Sequence, residues 1–276
     1  MSFLSKSAIS VAFALASVAP HAAAQQLNWT VGVNNSDIAP GGAPAATFKS
    51  YNQPAINNSG LLVFRARSSE GSSQQVDGVY QRNLFPTGPI VKLLTRGDAV
   101  PSPNNTLYNG IPAGFMEFPS TPRIDATSNL IATRGQHQPS WTYILGTTET
   151  RVGTSGIYAF PNGVAVTGAS LLGNAVEPDQ FTLSFPWFSV PGALLGQRFD
   201  QFPGSPALAD NRYIVYKGNY TDLGDGLGRT GIYFRDVVNT MPVPYTGLIA
   251  SSNTVIPNQP AGGTTRFGST APPSAA

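Results

Sequence analysis

The sequence contains no cysteine, which excludes a disulfide framework, a thiolate metal site and a cysteine nucleophile, and leaves packing alone to hold the core. Histidine is nearly as scarce, with only His21 and His137. A histidine-rich metal centre is therefore excluded, and any Ser-His-Asp arrangement in a mature chain would have to use His137. Charged residues make up 11% of the chain, with 16 Lys and Arg against 14 Asp and Glu. Cations such as Arg65, Arg123 and Arg229 are scattered and form no run, so there is no electrostatic footprint for nucleic acid or an anionic membrane. The Gly-x-Ser-x-Gly elbow of serine hydrolases is missing too, because Gly153-Thr154-Ser155-Gly156 has the wrong spacing.

Long apolar runs are lacking except near the start, where Lys6 precedes the run Ile9 to Ala19 and Ala22-Ala23-Ala24 follows it. A cation, a short apolar stretch and small residues in that order read as a cleavable secretory signal. The run falls short of the roughly 20 residues needed to span hydrocarbon. Residues 1–24 are thus expected to be a signal peptide and residues 25–276 a single domain without a membrane span. Its destination is secreted or periplasmic, with association with a bacterial cell surface left open.

What is abundant is turn chemistry, with 29 Gly and 24 Pro, alongside 10% aromatic residues and many Val, Ile and Leu. The apolar content argues against disorder, and the balance fits an exported β-protein with many tight turns. Three landmarks recur in fixed order. An aromatic pair three residues apart precedes a proline: Phe48, Tyr51 and Pro54; Phe115, Phe118 and Pro122; Phe199, Phe202 and Pro206. Strand-like runs follow at Leu61-Leu62-Val63-Phe64, Leu130-Ile131-Ala132 and Tyr213-Ile214-Val215-Tyr216. Each is succeeded by a Gly-aliphatic-Tyr triplet, namely Gly78-Val79-Tyr80, Gly156-Ile157-Tyr158 and Gly231-Ile232-Tyr233. A third run then ends in a polar turn, as at Gly97-Asp98-Ala99-Val100-Pro101, Gly173-Asn174-Ala175-Val176 and Asn253-Thr254-Val255-Ile256-Pro257.

The pattern predicts an all-β fold, a propeller-like array of about three to four β-sheet repeats of 60–80 residues. The units run approximately 27–53 (partial), 54–121, 122–205 and 206–270, with Phe267 and Pro272-Pro273 marking a further beginning. The recurring aromatics are expected in the core between units. Three whole units and a partial one are fewer than the usual 4–8 blades, so the chain is a fragment, oligomerises or leaves its sheets open.

The segment Pro54 to Arg65, with Gly78-Val79-Tyr80 and Gly97-Asp98-Ala99-Val100-Pro101 behind it, resembles the tandem-repeat proteins named for the motif NxxGxxAF, of the choice-of-anchor type. Asn57, Gly60, Val63 and Phe64 occupy the motif positions, with Val for Ala. The later units depart from it: Ala209 and Arg212 stand for the Asn and Gly in one, and Asp125 stands for the Asn, with a one-residue shift, in the other. The resemblance implies an exported bacterial β-repeat protein and carries no catalytic residues over. Such proteins often end in a C-terminal sorting segment, and none is recognisable before Ala276.

Few residues invite chemistry. His137 lies in Arg134-Gly135-Gln136-His137-Gln138-Pro139, read as a polar loop after a strand, where an exposed loop histidine competes with a general base. Asp222 and Asp225 lie in a Gly-rich stretch that could wrap Ca²⁺ with carboxylates and carbonyls, although a hairpin turn explains the same residues. Trp141, Tyr143 and Trp187 sit in insertions that lengthen the second unit, where aromatic faces can stack on sugars or pack over their own sheet. The leading functional reading is a non-enzymatic binding or structural module whose partner is a glycan or another protein. The alternative is a carbohydrate-active enzyme, a polysaccharide lyase or hydrolase, with His137 as base and Tyr143 or Asp179 as its partner. Signal cleavage has a direct readout: N-terminal sequencing of the exported protein is expected to start at Gln25, and a product retaining Met1 would refute it.

Overall fold

A run such as Leu61-Leu62-Val63-Phe64, apolar at every position, suits a strand buried on both faces rather than one with a wet side. A computed structural model describes residues 29–42, 46–69, 76–101, 107–108, 111–137, 141–145, 148–152, 155–171, 189–194, 197–239, 246–260 and 262–268, with the backbone alone for 69, 107–108, 111–112, 141–145 and 148–152. The chain divides between Val31 and Gly32 into two units, of which the second is described below. The described residues form strands and turns, with one single-turn 3₁₀ helix at Pro161–Gly163. No helix among them is long and apolar enough to cross a membrane.

Three antiparallel sheets share one plan. Sheet I comprises β1 (Thr47–Tyr51), β2 (Ala55–Ile56), β3 (Leu61–Ser69), β4 (Val76–Asn83) and β5 (Val91–Thr95), in the order β1-β3-β4-β5 with β2 also on β3. A small pair, β6 (Leu107–Tyr108) and β7 (Ile111–Pro112), follows it. Next come β8 (Phe115–Glu117), β9 (Arg123–Ile124), β10 (Ile131–His137), β11 (Trp141–Leu145), β12 (Thr148–Val152), β13 (Ser155–Ala159) and β14 (Val166–Ser170). Sheet II has the order β8-β10-β13-β14 with β9 also on β10, while β11 and β12 pair as a separate hairpin. Sheet III runs β15 (Ala207–Ala209), β16 (Tyr213–Thr221), β17 (Gly228–Asp236) and β18 (Thr246–Ser251). The recurring prolines explain the divided first strand: Pro54, Pro122 and Pro206 stand directly before β2, β9 and β15, where the missing N–H interrupts pairing.

The Gly-aliphatic-Tyr triplets explain the packing. Across the central strand pair Ala66 faces Gly78, Gly135 faces Gly156 and Gly218 faces Gly231. Two small residues abreast leave a depression in the pleat, and rings fill it. A β-carbon on Gly78, Gly156 or Gly231 would lie 2.7, 2.6 or 2.6 Å from the hydroxyl of Tyr80, Tyr158 or Tyr233. On Gly135 or Gly218 it would lie 2.7 or 2.5 Å from Phe115 or Phe199. Each tyrosine meets its phenylalanine edge to face, at 4.9 Å for Phe48–Tyr80, 4.7 Å for Phe115–Tyr158 and 4.9 Å for Phe199–Tyr233. The second aromatic of each pair, Tyr51, Phe118 or Phe202, lies 5.9, 5.1 or 5.1 Å from the first. In all three sheets the next strand slips register beside the tyrosine, at Val79/Tyr80, Ile157/Tyr158 and Ile232/Tyr233.

Strand alternation then divides the core. Leu62, Phe64 and Tyr80 lie in one cluster, while Leu61, Val63 and Val79 join Phe115, Phe118, Ile131, Tyr158 and Phe160 between sheets I and II. Ala132, Ile157 and Ala159, on the other face of sheet II, meet Phe199, Phe202, Ile214, Tyr216 and Tyr233 of sheet III. Sheets I and II are therefore buried on both sides, whereas β16 alternates between half-buried and buried along its whole length. Arginines tie sheets I and III to the chain before them. Arg82 donates to the carbonyl of Gly32 at 3.1 Å, and Arg235 to those of Thr167 and Gly168 at 2.9 and 2.6 Å. Burial lowers the Arg235 guanidinium to about 10, which leaves it a cation at neutral pH.

The connection into sheets I and II also recurs. The N–H groups of Phe48, Phe115 and Phe267 donate to the carbonyls of Asp37, Asp98 and Thr254 at 3.3, 2.9 and 3.1 Å, so Phe267 occupies the position that Phe48 and Phe115 hold ahead of sheets I and II.

The glycine depressions give a stability test. In Gly156→Ala the new methyl meets Tyr158 and, at 2.8 Å, the Ala169 carbonyl, and the expected loss is about 1–3 kcal/mol in urea unfolding. Gly228→Ala has no neighbour within 4 Å and is expected to leave stability unchanged within about 0.5 kcal/mol. Equal losses in the two variants would contradict this account of the triplets.

Candidate functional site

The turns between the first and second strands of the three sheets lie against one another, and the motif residues join them. Asn57 is buried at 6% exposure. Its Oδ1 accepts from the Ser59 N–H, the Ser59 hydroxyl and the Leu61 N–H at 3.1, 2.9 and 2.8 Å. Its Nδ2 reaches the next sheet, donating to the Ser128 carbonyl at 2.8 Å and to Asn129 Oδ1 at 3.1 Å. The Asn58 N–H adds a bond to the Ala126 carbonyl at 2.8 Å. Gly60 turns the chain with φ +83, and any β-carbon there would strike the Phe85 ring at 2.5 Å.

Asp125 plays the equivalent role in sheet II. Oδ1 accepts from the Thr127 N–H, the Thr127 hydroxyl and the Ser128 N–H, each at 2.9 Å, and Oδ2 receives the Asn211 N–H of sheet III at 3.5 Å. Burial pushes this carboxyl up, but the bonds from Thr127, Ser128 and Asn211 outweigh it and hold it below the ordinary value. Sheet III has Ala209 at this place and makes its turn through Asp210 and Asn211, whose φ of 56 and 49 lies in the left-handed region that Asn and Asp tolerate.

Beside these turns, β2, β9 and β15 converge on a groove of about 500 Å³. Its wall mixes the apolar side chains Ile56, Ile124 and Leu208 with polar groups, among them Thr127 and the exposed Arg123 and Asp210. Sequence reading missed this groove because it is assembled from one short segment of each unit.

Of the residues singled out from sequence, His137, Asp222 and Asp225 do not line it. His137 is a correction: it is the last residue of β10, 1% exposed, and does not belong to an exposed loop. Its ring lies 6.2 Å from Phe115 and 6.3 Å from Tyr158, and burial pushes the Tyr158 phenol well above its usual range. Trp141 and Tyr143 lie on β11, so the insertion in the second unit forms a hairpin; their side chains, together with all of Asp179 and Trp187, lie outside the described residues. Residues 1–24, Gly173-Asn174-Ala175-Val176 and Pro272-Pro273 also lie outside them.

Asp222 and Asp225 occupy the turn between β16 and β17. Their carboxylates accept from the Gly224 and Leu227 N–H groups at 2.8 and 2.9 Å. Arg229 stands 3.7 Å from Asp222 and bonds Asp225 directly. A cation at this turn would have to compete with that guanidinium. Among the described residues, no three His, Asp or Glu side chains come together as a metal-holding group.

The turn relay has a pH signature. A carboxyl whose folded pKa is lowered contributes stability above its unfolded value, about 3.9 for Asp, and loses that contribution as pH falls through the folded value. Asp125 has this sign, and so does Asp236, where the bonds from Arg212, Asn239 and Val238 outweigh burial. Stability measured by urea unfolding should therefore fall below about pH 4, and Asp125→Asn should flatten that decline. Asn57→Ala is expected to lower stability by about 1–3 kcal/mol at every pH. An unchanged urea midpoint in Asn57→Ala would discount the relay.

No family model, curated protein or solved structure matches the chain.

Proposed function

We propose that this chain is an exported β-repeat protein acting as a non-enzymatic binding or structural module, with its three sheets as consecutive units of a propeller-like array. The observation that carries the reading is the use made of the repeated residues. The aromatic pairs, the Gly-aliphatic-Tyr triplets and the motif positions Asn57, Gly60, Val63 and Phe64 are engaged in turns and in packing within and between sheets. What repeats serves construction, and the surfaces that differ between units are left for recognition. The likeness to NxxGxxAF repeat proteins supports the same reading, with a secreted, periplasmic or surface-associated location and a glycan or another protein as partner.

The burial of His137 weighs against its service as a general base toward a polymer. The test is to incubate the purified chain from Gln25 onward with a polysaccharide panel while following new reducing ends and unsaturated products. No turnover is expected. Turnover that His137→Ala abolishes would overturn the proposal in favour of a polysaccharide lyase or hydrolase.

A further inference from the structure

We propose that a cleft at the turn end of sheets I and II binds a neutral saccharide. The proposal rests on the binding-module reading and names its ligand class and site. The cleft measures about 390 Å³, within the range of about 300–1,000 Å³ usual for small-molecule sites. Five carboxamides line it: Gln81 and Asn83 from β4, Asn129 from the first turn of sheet II, Asn162 from the 3₁₀ turn and Asn211 from the first turn of sheet III. Gln81 is half-buried and the four asparagines are exposed.

Beneath this rim lie buried apolar side chains, with Leu61 at 6%, Ile131 at 1% and Phe160 at 2% exposure. None of the described lining residues is ionisable. Each carboxamide offers both an N–H donor and a carbonyl acceptor, which matches hydroxyl groups that also donate and accept. With no cation among the described lining residues, the cleft favours a neutral sugar over a uronate or phosphate. Turn chemistry accounts for Asn162 and Asn211, whose φ is 54 and 49, but not for Gln81 and Asn83 on a strand.

The left-handed backbone provides a clean test, because glycine keeps that conformation while deleting the amide. Calorimetric titration of the chain from Gln25 with cellohexaose, maltohexaose, mannohexaose and xylohexaose is expected to show binding of at least one, with hexagalacturonate binding no more tightly. The double variant Asn162→Gly/Asn211→Gly, and separately Gln81→Ala, should weaken that binding by about tenfold with the melting temperature retained. Absence of binding to all four neutral hexasaccharides, or full affinity in all these variants, would overturn the site. Binding that is lost in Trp141→Ala and kept in the asparagine variants would reject the cleft while leaving the module reading intact. Only turnover in the product assay would reject that reading.

Discussion

The pairing of two small residues across the middle of each sheet is the constraint on which the rest depends. Glycine weakens a strand by about 0.5–1 kcal/mol relative to alanine, and five of the six residues in these three pairs are glycine. The deficit is offset by what the depressions admit. A buried aromatic ring removes about 150–250 Å² from water, worth about 4–6 kcal/mol at about 25 cal/mol per Å². Each depression takes a tyrosine from its own strand and a phenylalanine from the incoming chain. The phenylalanine thereby fixes where the connection enters the sheet, and the connecting bonds from Phe48 and Phe115 follow from that.

Once the rings lie on one face, alternation directs the intervening aliphatic residue to the other. Val79 faces sheet II and Ile157 faces sheet III, so one triplet serves two interfaces. This explains a core without cysteine and almost without internal charge. Among the described residues the internal charges are Arg235, Asp125, Asp236 and the pair of Arg65 and Asp77, the last two joined by bonds of 3.0 and 2.7 Å on neighbouring strands. A buried guanidinium and carboxylate in that forked geometry satisfy each other's polar groups.

Much of this is legible in the sequence, since the triplets, the aromatic pairs and the prolines recur as local words. Their mutual contacts are not. Phe115, Gly135, Gly156 and Tyr158 meet only after three strands have paired, and nothing in the spacing says that a ring from one landmark lies over the glycine of another. The exposed-loop reading of His137 fails for a related reason: Gly135, Gln136 and Gln138 make its surroundings look polar, yet β10 continues to it under the Phe115 ring. Gly135 looks like a loop residue and is there to admit rings. The carboxamides of the cleft come from four separated segments, so no window of sequence contains it. The insertion around Trp141 is visible as extra length, while its pairing as a hairpin depends on Trp141 opposing Val152.

The relay of turns through Asn57 and Asp125 has a consequence for how such a protein can change over time. Each junction is specified by a side chain of one sheet and backbone groups of the next, so alignment between neighbours is stored locally, not in the array as a whole. The Asn of the first unit and the Asp of the second show that the joint tolerates different chemistry provided one acceptor stays within reach of the turn.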